Sequence, residues 1–139
     1  MASELISVKW KDEPEDHDYP AAADYLELLA EPDVVDAVVA RLREAPIVHK
    51  KAKDILRAAQ LELLSAENSH VRRDLIKINN GKALSPVLLV RGDFRTGTPM
   101  VIADGYHRVC AIHWADENIA IPAKIAPLTT LRSTTSKRS

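Results

Sequence analysis

The sequence predicts a single α+β domain in which a small mixed sheet packs under several helices, with extra helices added at the N-terminal side. Three observations carry this. Apolar residues recur at helical spacing in four stretches between residues 20 and 79. Short apolar runs bounded by turn residues follow at 86–91, 99–103 and 120–126. Between the second and third runs, Ile102-Ala-Asp-Gly-Tyr-His-Arg108 turns a short strand through glycine into a second helical pattern.

The chain has 139 residues, a length suited to one domain and to a sizeable core without disulfides. Its one cysteine, Cys110, has no intramolecular partner, which fits a reducing, cytoplasmic setting. No window approaches eighteen consecutive apolar residues, so no membrane span is expected. The N-terminus lacks the basic start and apolar core of a secretory signal. The formal net charge of −1 conceals an asymmetry. Residues 1–36 hold eleven carboxylates and two lysines, a balance of −9, whereas residues 37–139 stand at +8. A basic body behind an acidic leader suits a nucleotide or nucleic-acid partner. The plainer alternative is that the acidic segment packs beside the basic one, within a monomer or a homodimer.

Taken in order, residues 1–19 read as an acidic mobile tail, although Leu5, Ile6, Val8 and Trp10 could pair with the body as a short strand. Pro20 opens a helix over about 20–30, with Tyr25, Leu28 and Leu29 on one side. Asp33 is the expected N-cap of a second helix, whose Val34, Val35, Val38, Val39 and Leu42 share a face until Pro46. A third helix is expected over 52–64 and a fourth over 70–79, stopped by Asn80-Gly81. Residues 86–91 and 99–103 read as strands of a hairpin turned by Gly92 to Gly97. A helix over about 107–116 and a last strand over 120–126 complete the domain, which spans 20–127. Residues 128–139 read as a basic disordered tail.

The order of these elements, with Asn80-Gly-Lys-Ala-Leu-Ser85-Pro-Val-Leu-Leu-Val-Arg91 followed by the Asp-Gly-x-His-Arg form of a Gly-x-x-Arg motif at 104–108, resembles the N-terminal domain of ParB. That domain shares its fold with sulfiredoxin and with an ADP-dependent serine kinase. The resemblance covers about residues 71–125. It implies a ParB/sulfiredoxin-like fold in which Gly105 to Arg108 surround the phosphates of a bound nucleotide (CTP, ATP or ADP), with Mg²⁺ bridging ligand oxygens. Sulfiredoxin places its catalytic cysteine directly before the His-Arg pair. Tyr106 stands there in this chain, and Cys110 follows Arg108, so sulfiredoxin chemistry is not expected. The chain also ends soon after the last strand, so the partition-site DNA recognition of full-length ParB is not expected. No catalytic base aligns; Glu62, Glu67 and Asp104 are the candidates.

The residues themselves support a phosphate site. A helix start leaves backbone N–H groups unpaired, with partial positive charge behind them. Arg108 is read as a planar fork suited to phosphate or as a surface or ion-pair arginine, and His107 as a second phosphate donor, a general acid or a capping and packing residue. Gly105 serves either close phosphate approach or the turn alone. Asp104 is read as an N-cap or as a holder of a bridging metal ion. Tyr106 is read as a base-stacking or packing residue. Arg91, at the end of the neighbouring strand, is a weaker candidate for the same pocket. Arg108→Ala is expected to cost little stability if the side chain lies exposed at a pocket.

Cys110 reads as a buried, inert thiol, and His113 and Trp114 as packing or rim residues. The histidine spacings fit no zinc site. The Lys50-Lys51-x-Lys53 cluster with Arg57 reads as a solvated helical face. Six aromatic residues are few for a single-strand stacking platform. Hydrolysis or phosphoryl transfer would fit the phosphate reading, since such chemistry rests on positioning and charge neutralisation. The competing functions are a ParB-like nuclease or DNA-binding accessory protein, and a non-enzymatic interaction module. Lys50, Lys51 and Arg73 are the residues expected to matter for nucleic acid and not for a mononucleotide.

Overall fold

The structure, a computed structural model, describes residues 7–128. Among these residues the chain forms five helices and a four-stranded mixed sheet. The elements in order are α1 (Asp18–Leu26), α2 (Pro32–Glu44), β1 (Val48–Lys51), α3 (Ala52–Ala59), α4 (Ser69–Asn79), β2 (Val87–Val90), β3 (Val101–Asp104), α5 (Tyr106–Ala115) and β4 (Ala120–Ala126). The strand order is β1-β4-β2-β3. β4 runs parallel to β2, and the other pairings are antiparallel.

Helices cover both faces of the sheet. Val87 and Leu89 of β2 point into one core with Ile121, Ala123 and Ile102, against α3, α4 and α5. Leu88 and Val90 point into a second core with Ala103 and Ala126, against α1 and α2. All four residues of β2 are buried, because a strand with helices on both sides has no solvent face. That explains why it reads as an unbroken apolar run rather than an alternation. The extra N-terminal helices supply the second layer.

Several expectations are corrected. Residues 7–19 do not trail away from the body as a tail; the alternative of a segment paired with the body holds at Trp10. Trp10 bridges Leu84, with the Lys11 N–H donating to the Leu84 carbonyl at 2.8 Å and the Leu84 N–H to the Lys9 carbonyl at 2.9 Å. The buried Lys124 ammonium then holds the same segment, donating to the Arg43 carbonyl at 2.9 Å and lying 3.1 Å from Glu13 Oε1. Leu5 and Ile6, and the expected tail beyond Leu128, lie outside the described residues. α1 begins at Asp18, and its buried side chains are Asp18, Tyr19, Ala22 and Leu26; Tyr25, Leu28 and Leu29 are exposed. Pro32, not Asp33, opens α2, with Glu31 at the N-cap position; proline there forgoes an N–H that would be unpaired anyway. α3 stops at Ala59, because Gln60 adopts the left-handed conformation at φ 57°. The Lys50-Lys51 pair lies on β1, an edge strand, and not on a helix. Lysines on an edge discourage further strand pairing.

Candidate functional site

The Asp104–Arg108 turn joins β3 to α5. Gly105 stands at the N-cap position with φ 113°, and a Cβ there would lie 2.5 Å from Val87 Cγ1. Only glycine lets the turn cross so close to β2. The first intrahelical bond of α5 runs from the Val109 N–H to the Gly105 carbonyl at 2.9 Å. The amides of Tyr106, His107 and Arg108 therefore precede any intrahelical acceptor. Asp104 makes no capping bond to them.

Arg108 is committed within the fold. Nη1 donates to the carbonyls of Ser85 at 2.8 Å and Pro86 at 3.1 Å, and Nη2 to Asp104 Oδ2 at 3.0 Å. Three of its five N–H groups thus bind the entry of β2 to the end of β3. Burial pushes the Asp104 carboxyl above its ordinary range, and the neighbouring Arg108 guanidinium opposes that rise. Asp104 is accordingly the partner of Arg108 rather than an N-cap. Among the described residues no group of three or more His, Cys, Asp or Glu side chains is placed to hold a metal ion.

The turn opens into a polar cleft of about 280 Å³. Gly105, His107 and Arg108 form one side of it, and Ala83, Leu84 and Ser85 lie at its back. α4 supplies a second side through His70, Arg73, Asp74 and Lys77, spaced i, i+3, i+4 and i+7 on one helical face. Asn68 caps this helix, its Oδ1 accepting from the N–H groups of His70 at 2.9 Å and Val71 at 3.2 Å. The anchored N-terminal segment is the third side, carrying Lys11, Glu15, His17 and Asp18. Lys11 and Glu15 form an ion pair. His70 and His107 face each other with ring centroids 4.6 Å apart. Burial, then the neighbouring His70, holds the His107 imidazole below its ordinary value, while Asp74 pulls it up.

The structure thus brings Asp104, Gly105, His107 and Arg108 to one cleft and leaves out two other candidates. Tyr106 turns away, its hydroxyl donating to the Glu62 carbonyl at 2.7 Å. Together with Trp114, whose Nε1 donates to the Leu64 carbonyl at 2.8 Å, it clamps the loop after α3 against α5. Arg91 follows the far end of β2, whereas Gly105 abuts Val87 at the near end. Four strand residues separate the two by about 13 Å. Arg91 borders a different groove, shared with Phe94 and Met100. Arg73 also belongs to the cleft rather than to a surface with Lys50 and Lys51. Cys110 is fully buried, and burial raises its thiol pKa, consistent with an inert packing role.

Sequence reasoning missed His70, Asp74 and Lys77 as cleft residues. The signal was present: with Val71, Leu75 and Ile78 turned inward, positions 70, 73, 74 and 77 had to share another face. The contribution of Lys11 to Asp18 carried no such signal, because it depends on pairing with Leu84 far along the chain.

No protein-family model, curated protein or solved structure matches this chain.

Proposed function

We propose that this chain is a ParB-like domain whose cleft binds a nucleotide or another phosphorylated ligand at the turn from Gly105 to Arg108. One observation carries the reading: Arg73 and Lys77 of α4 and the first turn of α5 line a single polar cleft. Backbone amides and Arg or Lys side chains are complementary to phosphoryl oxygens, and the helix dipole adds to both. The division of labour differs from the sequence expectation. Arg108 shapes the turn, His107 and the α5 amides approach the ligand, and Arg73 and Lys77 supply charge. The resemblance of residues 80–91 and 104–108 to the ParB domain supports the same site.

Calorimetric titration with CTP, ATP and ADP, with and without Mg²⁺, tests the reading. Binding by one of them in the micromolar range is expected, weakened about ten- to hundredfold by Arg73→Ala or Lys77→Ala as charge-assisted bonds are lost. Release of phosphate during the titration would add hydrolysis to binding. Absence of binding by any nucleotide to the folded protein would overturn the nucleotide reading. Salt-sensitive binding of nucleic acid, weakened by Lys50→Ala and Lys51→Ala, would move the function to the basic edge of the sheet.

A further inference from the structure

The charges around the cleft balance. Four cations line it, Lys11, Arg73, Lys77 and Arg108, against four carboxylates, Glu15, Asp18, Asp74 and Asp104. With neutral imidazoles the wall carries no net formal charge. Its only groups that ordinarily titrate near neutrality are His17, His70 and His107. His17 lies between two carboxylates, 3.4 Å from both Glu15 Oε1 and Asp18 Oδ1. His70 and His107 lie on the two helices that bound the anion-seeking side, with their rings 4.6 Å apart. Two imidazoles so placed repel when both are charged, unless an anion sits against them.

We propose that the cleft takes up a compact, doubly charged oxyanion, such as a terminal phosphoryl or sulfuryl group, together with protons on His70 and His107. Binding therefore tightens as pH falls. This rests on the phosphate reading of the same cleft and adds a proton-linked seat to it. Arg73 and Lys77 hold the anion at every pH. The imidazole pair turns a charge-balanced wall into a positive one only in acid, and the bound anion removes the repulsion between the two rings. Burial of His107 and its closeness to His70 favour the neutral ring in the empty cleft, which leaves a proton to be gained on binding.

Sulfate is the appropriate probe, because its own charge is constant across the range. Titration of the full chain with sulfate at about pH 8 and about pH 5.5 should show affinity rising about tenfold for each imidazole whose pKa the anion lifts by about one unit. In the acid range, NMR should show the His70 and His107 ring signals titrating at higher pH when sulfate is present. Buffers of different ionisation heat should reveal net proton uptake. In the His70→Asn/His107→Asn double variant the remaining binding should lose most of its pH dependence, with His17 still on the wall. Sulfate binding that Arg73→Ala weakens but that is the same at both pH values would overturn the proton linkage and leave the phosphate reading standing. Failure of sulfate to bind at either pH, or binding that leaves both ring signals unmoved, would overturn both.

Discussion

The Arg108 guanidinium lies 3.0 Å from the Asp104 carboxylate, and both side chains are more than four-fifths buried. The pair spans the junction between strand and helix, while the same guanidinium holds the carbonyls of Ser85 and Pro86. A motif arginine that reads as a ligand group from sequence is thus the bolt that sets the turn. Arg108→Ala should lower stability by about 2–4 kcal/mol, because it strands a part-buried carboxylate and two carbonyls. Chemical denaturation of the variant checks this. A change within about 0.5 kcal/mol, as for an exposed side chain, would return Arg108 to the ligand.

Gly105→Ala should cost about 2–4 kcal/mol, from the 2.5 Å approach to Val87 Cγ1 and from a φ of 113° that alanine rarely adopts. Val87→Ala in the same chain should relieve the Cγ1 collision and leave the backbone strain, with the residue 87 Cβ still 3.0 Å away. Thermal unfolding of both, set beside Val87→Ala alone to account for truncating a fully buried side chain, separates the contributions.

Tyr106→Phe should cost about 0.5–1.5 kcal/mol, the loss of one hydrogen bond to the Glu62 carbonyl. Ligand affinity should be unchanged, because the side chain turns away from the cleft. A loss of nucleotide affinity in this variant would place the ring on the ligand after all.

The fold and the site were unequally legible. The last strand, residues 120–126, and the fourth helix follow directly from apolar runs and caps. β1 was invisible: Val48-His-Lys-Lys51 is short, charged and on the edge, so it shows neither alternation nor an apolar run. The face of α1 differs from the expected one because the helix buries Tyr19 and the small Ala22 and ends at Leu26, which leaves Leu28 and Leu29 beyond it in solvent. Arg91 does follow the end of its strand but belongs to another groove, because the antiparallel pairing of β2 with β3 sets Asp104 beside Leu88 at the opposite end. The ion-pair alternative for Arg108 is the one the fold takes, with Asp104 as its partner, whereas its two backbone carbonyl partners leave no trace in any residue pattern. The turn itself was legible, because glycine between a strand and a helix leaves few alternatives.

The folded state holds His107 below its ordinary pKa of 6.5, chiefly through burial. Between 6.5 and that lower value the unfolded chain binds more protons than the folded one. Stability should therefore fall as pH drops through this window, and the His107 contribution should be intact above it. Denaturation midpoints measured across the window should decline less steeply in His107→Asn. Adding sulfate should flatten the wild-type decline, because a bound anion favours the protonated ring.

The most direct test of the phosphate cleft is where a ligand lands. Backbone NMR of the protein titrated with pyrophosphate should show shifts concentrated at the amides of residues 105–108 and along α4 from His70 to Lys77. Shifts centred instead on the hairpin around Phe94, or on Lys50 and Lys51 of β1, with the Gly105 turn silent, would contradict the account.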